Sequence, residues 1–230
     1  MATSGSKDFS PDVAEFIEEA FERCGKELRT AYDAITARRS LNLLLADWAN
    51  RGLNQWTVSQ TSVSLTEGTT NYSLDSDNPT AVIDVLDAFI RRSVNSTDTD
   101  FQISKISRSQ YADIPVKATK GRPSQYFVDK QITPKIYLYP APENSTDKLY
   151  VNRLMRMDDA DASVNTMDMP FRLYPALTAG LSYYLAMKIA PERIALLKPV
   201  YDEEFQRALD QDESRASFTV SPSLSNYNRP

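Results

Sequence analysis

The chain has 230 residues, 41% hydrophobic and 25% charged, enough apolar material for one buried core or two small ones. A formal net charge of -5 argues against a dedicated nucleic-acid binder, which carries a basic face. The absence of histidine excludes Ser-His-Asp and Cys-His nucleophiles, histidine-ligated zinc and HExxH hydrolases, and the six glycines form no GxxxxGK[ST] or GxGxxG phosphate cradle.

Cys24 is the one cysteine, so an intramolecular disulfide framework is ruled out and a reducing compartment is expected. The opening MATSGSKDFS lacks a hydrophobic signal core, and no run of eighteen apolar residues occurs. These features read as a soluble protein made in the cytosol, with no membrane partner.

The first helix is expected to start at Ser10-Pro11-Asp12, with a hydroxyl N-cap, proline at N1 and a carboxylate in the first turn. Val13, Phe16, Ile17, Ala20, Phe21 and Cys24 follow at amphipathic spacing, and Gly25 ends the helix. On that stripe Cys24 reads as a small core residue. A second helix spans about residues 27–50, making an αα-hairpin. Its inner stripe is Leu41, Leu44, Leu45 and Trp48, while Leu43 points elsewhere and implies apolar neighbours on another side. Asp47 and Arg51 sit one turn apart and are placed to pair. Gly52 supplies a left-handed stop, and Leu53 folds back onto Trp48 as in a Schellman cap.

From Trp56 to about Arg156 the signals are strands and turns. Val58, Val63 and Leu65 alternate with polar residues, Gly68 marks a turn, and Tyr72 and Leu74 follow. The acids around Asp75, Asp77 and Asn78 read as a solvated turn. Residues 81–92 read as a strand and residues 93–100 as a polar loop. Phe101, Ile103 and Lys105 form one further strand, followed by a helical turn near Ser109 and Tyr111. Tyr126 and Val128, then Ile136 and Leu138, then Leu149, Val151 and Arg153 mark three more strands. Many short strands of this kind imply a small antiparallel sandwich or barrel.

Residues 157–168 form an acidic loop with Asp158, Asp159, Asp161 and Asp168, without the glycine and terminal glutamate of a calcium loop. Helical period returns with Leu173, Leu177, Leu181, Tyr184 and Leu185, where Ala179 and Gly180 permit close helix approach. Pro175 marks the first turn. Pro191 starts another helix with the stripe Ile194, Leu197, Tyr201, Phe205 and Leu209, and Pro199 is expected to kink it.

The fold class is therefore α+β. Two N-terminal and two C-terminal helices form a bundle, an antiparallel β-sandwich or barrel-like domain is inserted, and an extended C-terminal arm follows. The divisions are a helical hairpin at 1–55, the β domain at 56–156, completing helices at 157–214 and the arm at 215–230. The arm contains no acid, and its composition fits either an unfolded tail or a segment that orders on a partner. On the second reading Phe218, Val220, Leu224 and Tyr227 are its anchors.

Three segments carry a family resemblance: ARRSLNLLLADWANRGLNQW, GRPSQYFVDKQITPKIYLYPAPE and FRLYPALTAGLSYYLAMKIAPE. Together they resemble the head-to-tail adaptor (connector, gatekeeper) proteins of short-tailed bacteriophages. The resemblance covers about residues 9–216 and rests on a succession of weak motifs. It implies a non-enzymatic virion protein in the neck between capsid and tail. Such proteins form a homo-oligomeric ring, usually dodecameric, beneath the portal protein. The ring extends the DNA channel, through which DNA passes without specific binding, and carries the tail nozzle or tube and tail fibres. The arm would dock on the portal, giving Phe218, Val220, Leu224, Tyr227 and Arg229 a partner.

A closing ring needs a heterologous interface. Arg38, Arg39 and Arg51 are the candidate inter-subunit residues, set against the alternative of a solvated helix face. No catalytic residue, cofactor or metal site is assigned. A virion-associated cell-wall glycoside hydrolase needs only two carboxylates, and 31 acids make such pairs unavoidable. A tail-tube subunit is another alternative. So is a receptor- or glycan-binding β module using Trp56, Tyr72, Tyr126, Tyr137 and Tyr139, although aromatics on alternating strands are more often core.

Overall fold

The computed structural model describes residues 5–212 apart from 7, 54, 76 and 79. The chain opens with helices α1 (Val13–Arg23) and α2 (Ala31–Asn50), then enters strands β1 (Val58–Ser64), β2 (Asn71–Ser73), β3 (Val82–Val94), β4 (Thr97–Gln102) and β5 (Ser104–Lys105). A short helix α3 (Arg108–Ala112) precedes β6 (Lys120–Gly121), β7 (Gln125–Asp129), β8 (Lys135–Tyr139), β9 (Ala141–Pro142) and β10 (Lys148–Met155). Helices α4 (Tyr174–Ile189) and α5 (Ile194–Asp212) follow. The fold is mixed α+β.

Helix α4 organises the helical part. Its sequence is apolar on every side, and Ala176, Leu177, Ala179, Leu181, Leu185 and Ala186 are all buried, as a helix surrounded by others requires. α1, α2 and α5 each pack on it, and buried residues of all four helices join in one hydrophobic cluster. Phe16 meets Tyr174 edge-on at 5.2 Å, and the Cys24 thiol donates to the Ser182 carbonyl at 3.3 Å. Burial pushes that thiol up from its ordinary range, which matches a core cysteine rather than a nucleophile. At Gly180 the neighbours come so near that a Cβ would lie 2.8 Å from Leu44 Cδ2 and 2.9 Å from Tyr201 Cε2.

The helix starts differ from expectation. Asp12, not Ser10, caps α1: its carboxylate accepts from the Glu15 N–H at 2.9 Å while Glu15 accepts from the Asp12 N–H. α2 begins at Ala31 rather than near residue 27, because Thr30 and Asp33 form a second capping box. The stop of α2 is as expected. Gly52 has φ +89°, its N–H donates to the Ala49 carbonyl, and the Leu53 N–H donates to the Trp48 carbonyl at 3.2 Å. Pro175 lies in the first turn of α4, and Pro199 stands inside α5, whose helical run continues to Asp212.

Between α2 and α4 lie two four-stranded sheets, ordered β1-β10-β3-β4 and β2-β8-β7-β5, and a small β6-β9 pair. Inward residues of both large sheets, including Val85, Ile90, Leu149, Val151, Tyr126, Ile136 and Leu138, form a second hydrophobic cluster. Pairing is mainly antiparallel, but β5 with β7 and β6 with β9 are parallel, so the purely antiparallel expectation is corrected. Residues 93–100 are not a loop either. They are the end of a β3–β4 hairpin turning through Asn95 and Ser96, both at positive φ. Its polar character arises because the tip projects past the core and both faces are wet. Nor is the run from Phe101 to Lys105 a single strand. At Ile103 the chain leaves one sheet for the other, its N–H donating to Ala88 while that of Ser104 donates to Ser124.

Candidate functional site

α2 turns Leu41, Leu44, Leu45 and Trp48 inward, yet its outer face is also apolar. Tyr32 is 75% exposed, Ile35 48% and Leu43 57%. Among the described residues Leu43 is therefore left largely uncovered. Ile35, Leu43 and Ala46 share a shallow groove of about 470 Å³ with Arg38, Arg39, Asn42 and Arg156. Leu43 was legible from sequence as an off-stripe residue; Tyr32 and Ile35 carry the same signal and were missed.

The arginines in this groove are not equivalent. Arg38 donates to the Asp161 carbonyl, so it already has work within the chain. Arg156 pairs with Asp159. Arg39 has no hydrogen bond or ion pair among the described residues and stays exposed. Arg51 pairs with Asp47 at 3.0 Å and lies 5.0 Å over the Phe205 ring, at the far end of α2. Arg38 and Arg39 are brought together with Leu43; Arg51 is not part of that groove.

The acidic loop at 157–168 is held as a strap across α1 and α2. Asn42 accepts from the Ala160 N–H at 2.8 Å and donates to the Ala160 carbonyl at 3.3 Å. The Val13 and Ala14 N–H groups, left over at the start of α1, donate to the Asn165 and Ser163 carbonyls at 3.0 Å each. Trp56 donates to the Asp168 carbonyl at 2.9 Å. A cleft of about 900 Å³ runs beside Asp158, Asp159, Asp161 and Asp168. Among the described residues no three His, Cys, Asp or Glu side chains are grouped to hold a metal ion.

Trp48, Gly52 and Leu53 form the helix cap expected of them, and Trp48 and Leu53 are fully buried. Trp48 Nε1 donates to the Tyr201 hydroxyl at 3.1 Å. Burial pushes that phenol up to about 12, against the opposing effect of the hydrogen bond.

Of the β-domain aromatics, Tyr72 and Tyr126 are core residues. Phe127 stacks with both Tyr137 and Tyr111, Tyr111 lies tilted against Tyr137, and Arg108 and Lys117 lie over that cluster, so its faces are already occupied. Asp75 is not a solvated turn acid. It accepts from the Asp77 and Asn78 N–H groups and pairs with Arg153 at 2.7 Å. Phe218, Val220, Leu224, Tyr227 and Arg229 lie outside the described residues.

A family model described as SU10 adaptor protein matches residues 11–225. The chain belongs to the SU10 adaptor protein family. It is thus a phage adaptor, a structural virion component that meets other head and tail components, as the resemblance to head-to-tail adaptors of short-tailed phages implied. The adaptor match takes in all the long helices and both sheets and runs on to residue 225. A comparison with curated proteins finds no match.

Proposed function

We propose that this adaptor assembles through the outer face of α2 into a ring, dodecameric by resemblance, beneath the portal. There it extends the DNA channel and joins the capsid to the tail nozzle and fibres. The observation that carries this reading is the exposed ridge of Ile35 and Leu43 beside Arg39, an apolar strip with a cation that pairs with none of the described residues. A monomer gains nothing from such a ridge, whereas a heterologous interface uses both its area and its charge. On this reading the four long helices form a bundle, residues 56–156 are a sandwich-like insertion, and the arm from residue 215 engages the portal.

The test is native mass of the purified protein, alone and mixed with portal rings. A many-copy complex on the portal is the expected result; a monomer indifferent to portal refutes the proposal. Arg39→Glu with Leu43→Asp should abolish ring assembly while leaving the melting curve unchanged, since neither side chain supports the fold of one chain. Arg38 is a poorer choice, because its replacement also releases Asp161. Deleting residues 217–230 should abolish portal binding without unfolding the protein, and undiminished binding refutes docking through the arm.

A further inference from the structure

Two helices in contact leave a groove on either side of their line of contact, and one further helix fills only one of the two. α1 packs on α4, and α2 packs on both, so α2 occupies one groove of that pair. The other groove is open. It has a volume of about 550 Å³ and is walled by Phe9, Pro11, Phe171, Tyr174 and Pro175, with Glu15 and Glu19 along its α1 rim. Neither α2 nor α5 contributes a wall.

The groove is apolar inside and acidic at its edge. Phe9 is 78% and Phe171 76% exposed, and Phe9 meets Tyr174 edge-on at 6.5 Å. α1 turns Glu15, Glu18, Glu19 and Glu22 to solvent. Its one cation, Arg23, is already paired with Glu19 at 2.7 Å.

The outer face of α2 has the complementary character. Ile35 and Leu43 are apolar and exposed, and Arg38 and Arg39 lie between them. The two acids of α2 are engaged elsewhere, Asp33 in the Thr30 capping box and Asp47 with Arg51. Ridge and rim also agree in length, since Ile35 to Leu43 and Glu15 to Arg23 each span about 12 Å of helix. The two faces look in opposite directions. α2 turns its inner stripe to the α1–α4 pair and lies on the far side of that pair from the groove. Such a chain offers a ridge on one side and a groove on the other, which is what head-to-tail association of identical copies requires.

We propose that the α1–α4 groove of one copy receives the outer ridge of α2 from the next copy. The neighbour's α2 then lies on the open side of the α1–α4 pair as the chain's own α2 lies on the other. Ile35 and Leu43 meet Phe9 and Phe171, and Arg39 comes among the α1 glutamates. This docking rests on assembly through α2 as proposed above and supplies the opposing surface.

Native mass of the parent chain, alone and on portal rings, is compared with that of Phe9→Ser with Phe171→Ser. Both phenylalanines are exposed, so the melting curve should stay largely unchanged while the many-copy complex is lost. Assembly at the parent level in this variant overturns the groove and leaves assembly through α2 standing. A parent chain that never assembles refutes both. A second measurement reads proximity. A chain carrying Leu43→Cys and Phe171→Cys, treated with a short bismaleimide once assembled, should give a covalent ladder beyond the dimer, because Cys24 is buried. The two single variants mixed should stop at the dimer, and neither should crosslink alone. An assembled double variant that stays monomeric on a denaturing gel overturns the docking. Crosslinking of the Leu43→Cys variant to itself makes the contact isologous and overturns it as well.

Discussion

Gly180→Ala tests the packing of α4 directly, because two effects of opposite sign compete at one methyl group. Alanine in a helix interior gains about 1 kcal/mol over glycine from propensity. Against this, the new Cβ would stand 2.8 and 3.0 Å from the two Leu44 methyls and 2.9 Å from Tyr201 Cε2. Neither neighbour has room to retreat. Leu44 is 0% and Tyr201 2% exposed, and the Tyr201 ring is pinned through its hydroxyl to Trp48. Overpacking a filled core costs about 1–3 kcal/mol, and two blocked walls put this site at the upper end. The net loss is then about 2 kcal/mol, or about 4–8 °C in melting temperature for a chain of this size. Urea unfolding followed by circular dichroism should show a lower midpoint with an unchanged slope. Adding Leu44→Ala should restore part of the loss, giving a coupling of about 1 kcal/mol in the double-mutant cycle. A midpoint that stays put or rises refutes the claim that glycine is needed for the approach of α2 and α5.

Two further substitutions probe the strap and the β domain. Asn42→Ala removes both hydrogen bonds to Ala160 and should cost about 1–2 kcal/mol, with faster amide exchange confined mainly to residues 157–168. An unaltered exchange pattern there shows that the strap does not depend on Asn42. For acid stability the groups to watch are Asp84 and Asp75. Burial alone would raise Asp84, but hydrogen bonds from Lys130, Lys105 and the Val85 N–H prevail and hold it below the usual carboxylate range. Asp75 is held low by the Asn78 and Asp77 N–H groups, which outweigh burial, with Arg153 adding to the effect. A depressed native value stabilises above the unfolded pKa, and that stability is lost as pH falls through the native one. Asp84→Asn should therefore lower stability near neutrality and flatten its decline between about pH 5 and pH 2. A decline as steep as in the parent chain, measured by urea midpoint against pH, counts against the assignment.

What could be read from sequence follows the range of the physics involved. The end of α2 was legible because a left-handed glycine and a returning leucine sit within a few residues of each other. The start of α2 was legible in principle, since Thr30 and Asp33 have capping-box spacing, but the glycine at 25 drew the boundary too early. The β3–β4 hairpin was misread because a projecting tip loses the apolar alternation that marks a strand with one buried face. The switch of sheets at Ile103 is decided by Ala88 and Ser124, neither of them a sequence neighbour. The same holds at the candidate interface. No spacing rule links Arg38 to Asp161, 123 residues away, so its engagement within the chain separates it from Arg39 only once the fold is known.

The outer face of α2 also has a reason rooted in the architecture. Because α4 is largely apolar and takes α1, α2 and α5 around itself, the inner stripe of α2 is already buried through Ala37, Leu41, Leu44, Leu45 and Trp48. A surface helix in that position ordinarily turns charged and polar residues to water. α2 instead presents Tyr32, Ile35 and Leu43, and the strap secured by Arg38 and Asn42 borders that strip without covering it. Among the described residues nothing covers this strip, and exposed apolar surface of this kind carries a hydration penalty. On the proposed assembly, covering this strip removes that penalty, and this sets the direction in which Arg39→Glu with Leu43→Asp should act. The substitutions should make the isolated chain more soluble and the assembled state weaker.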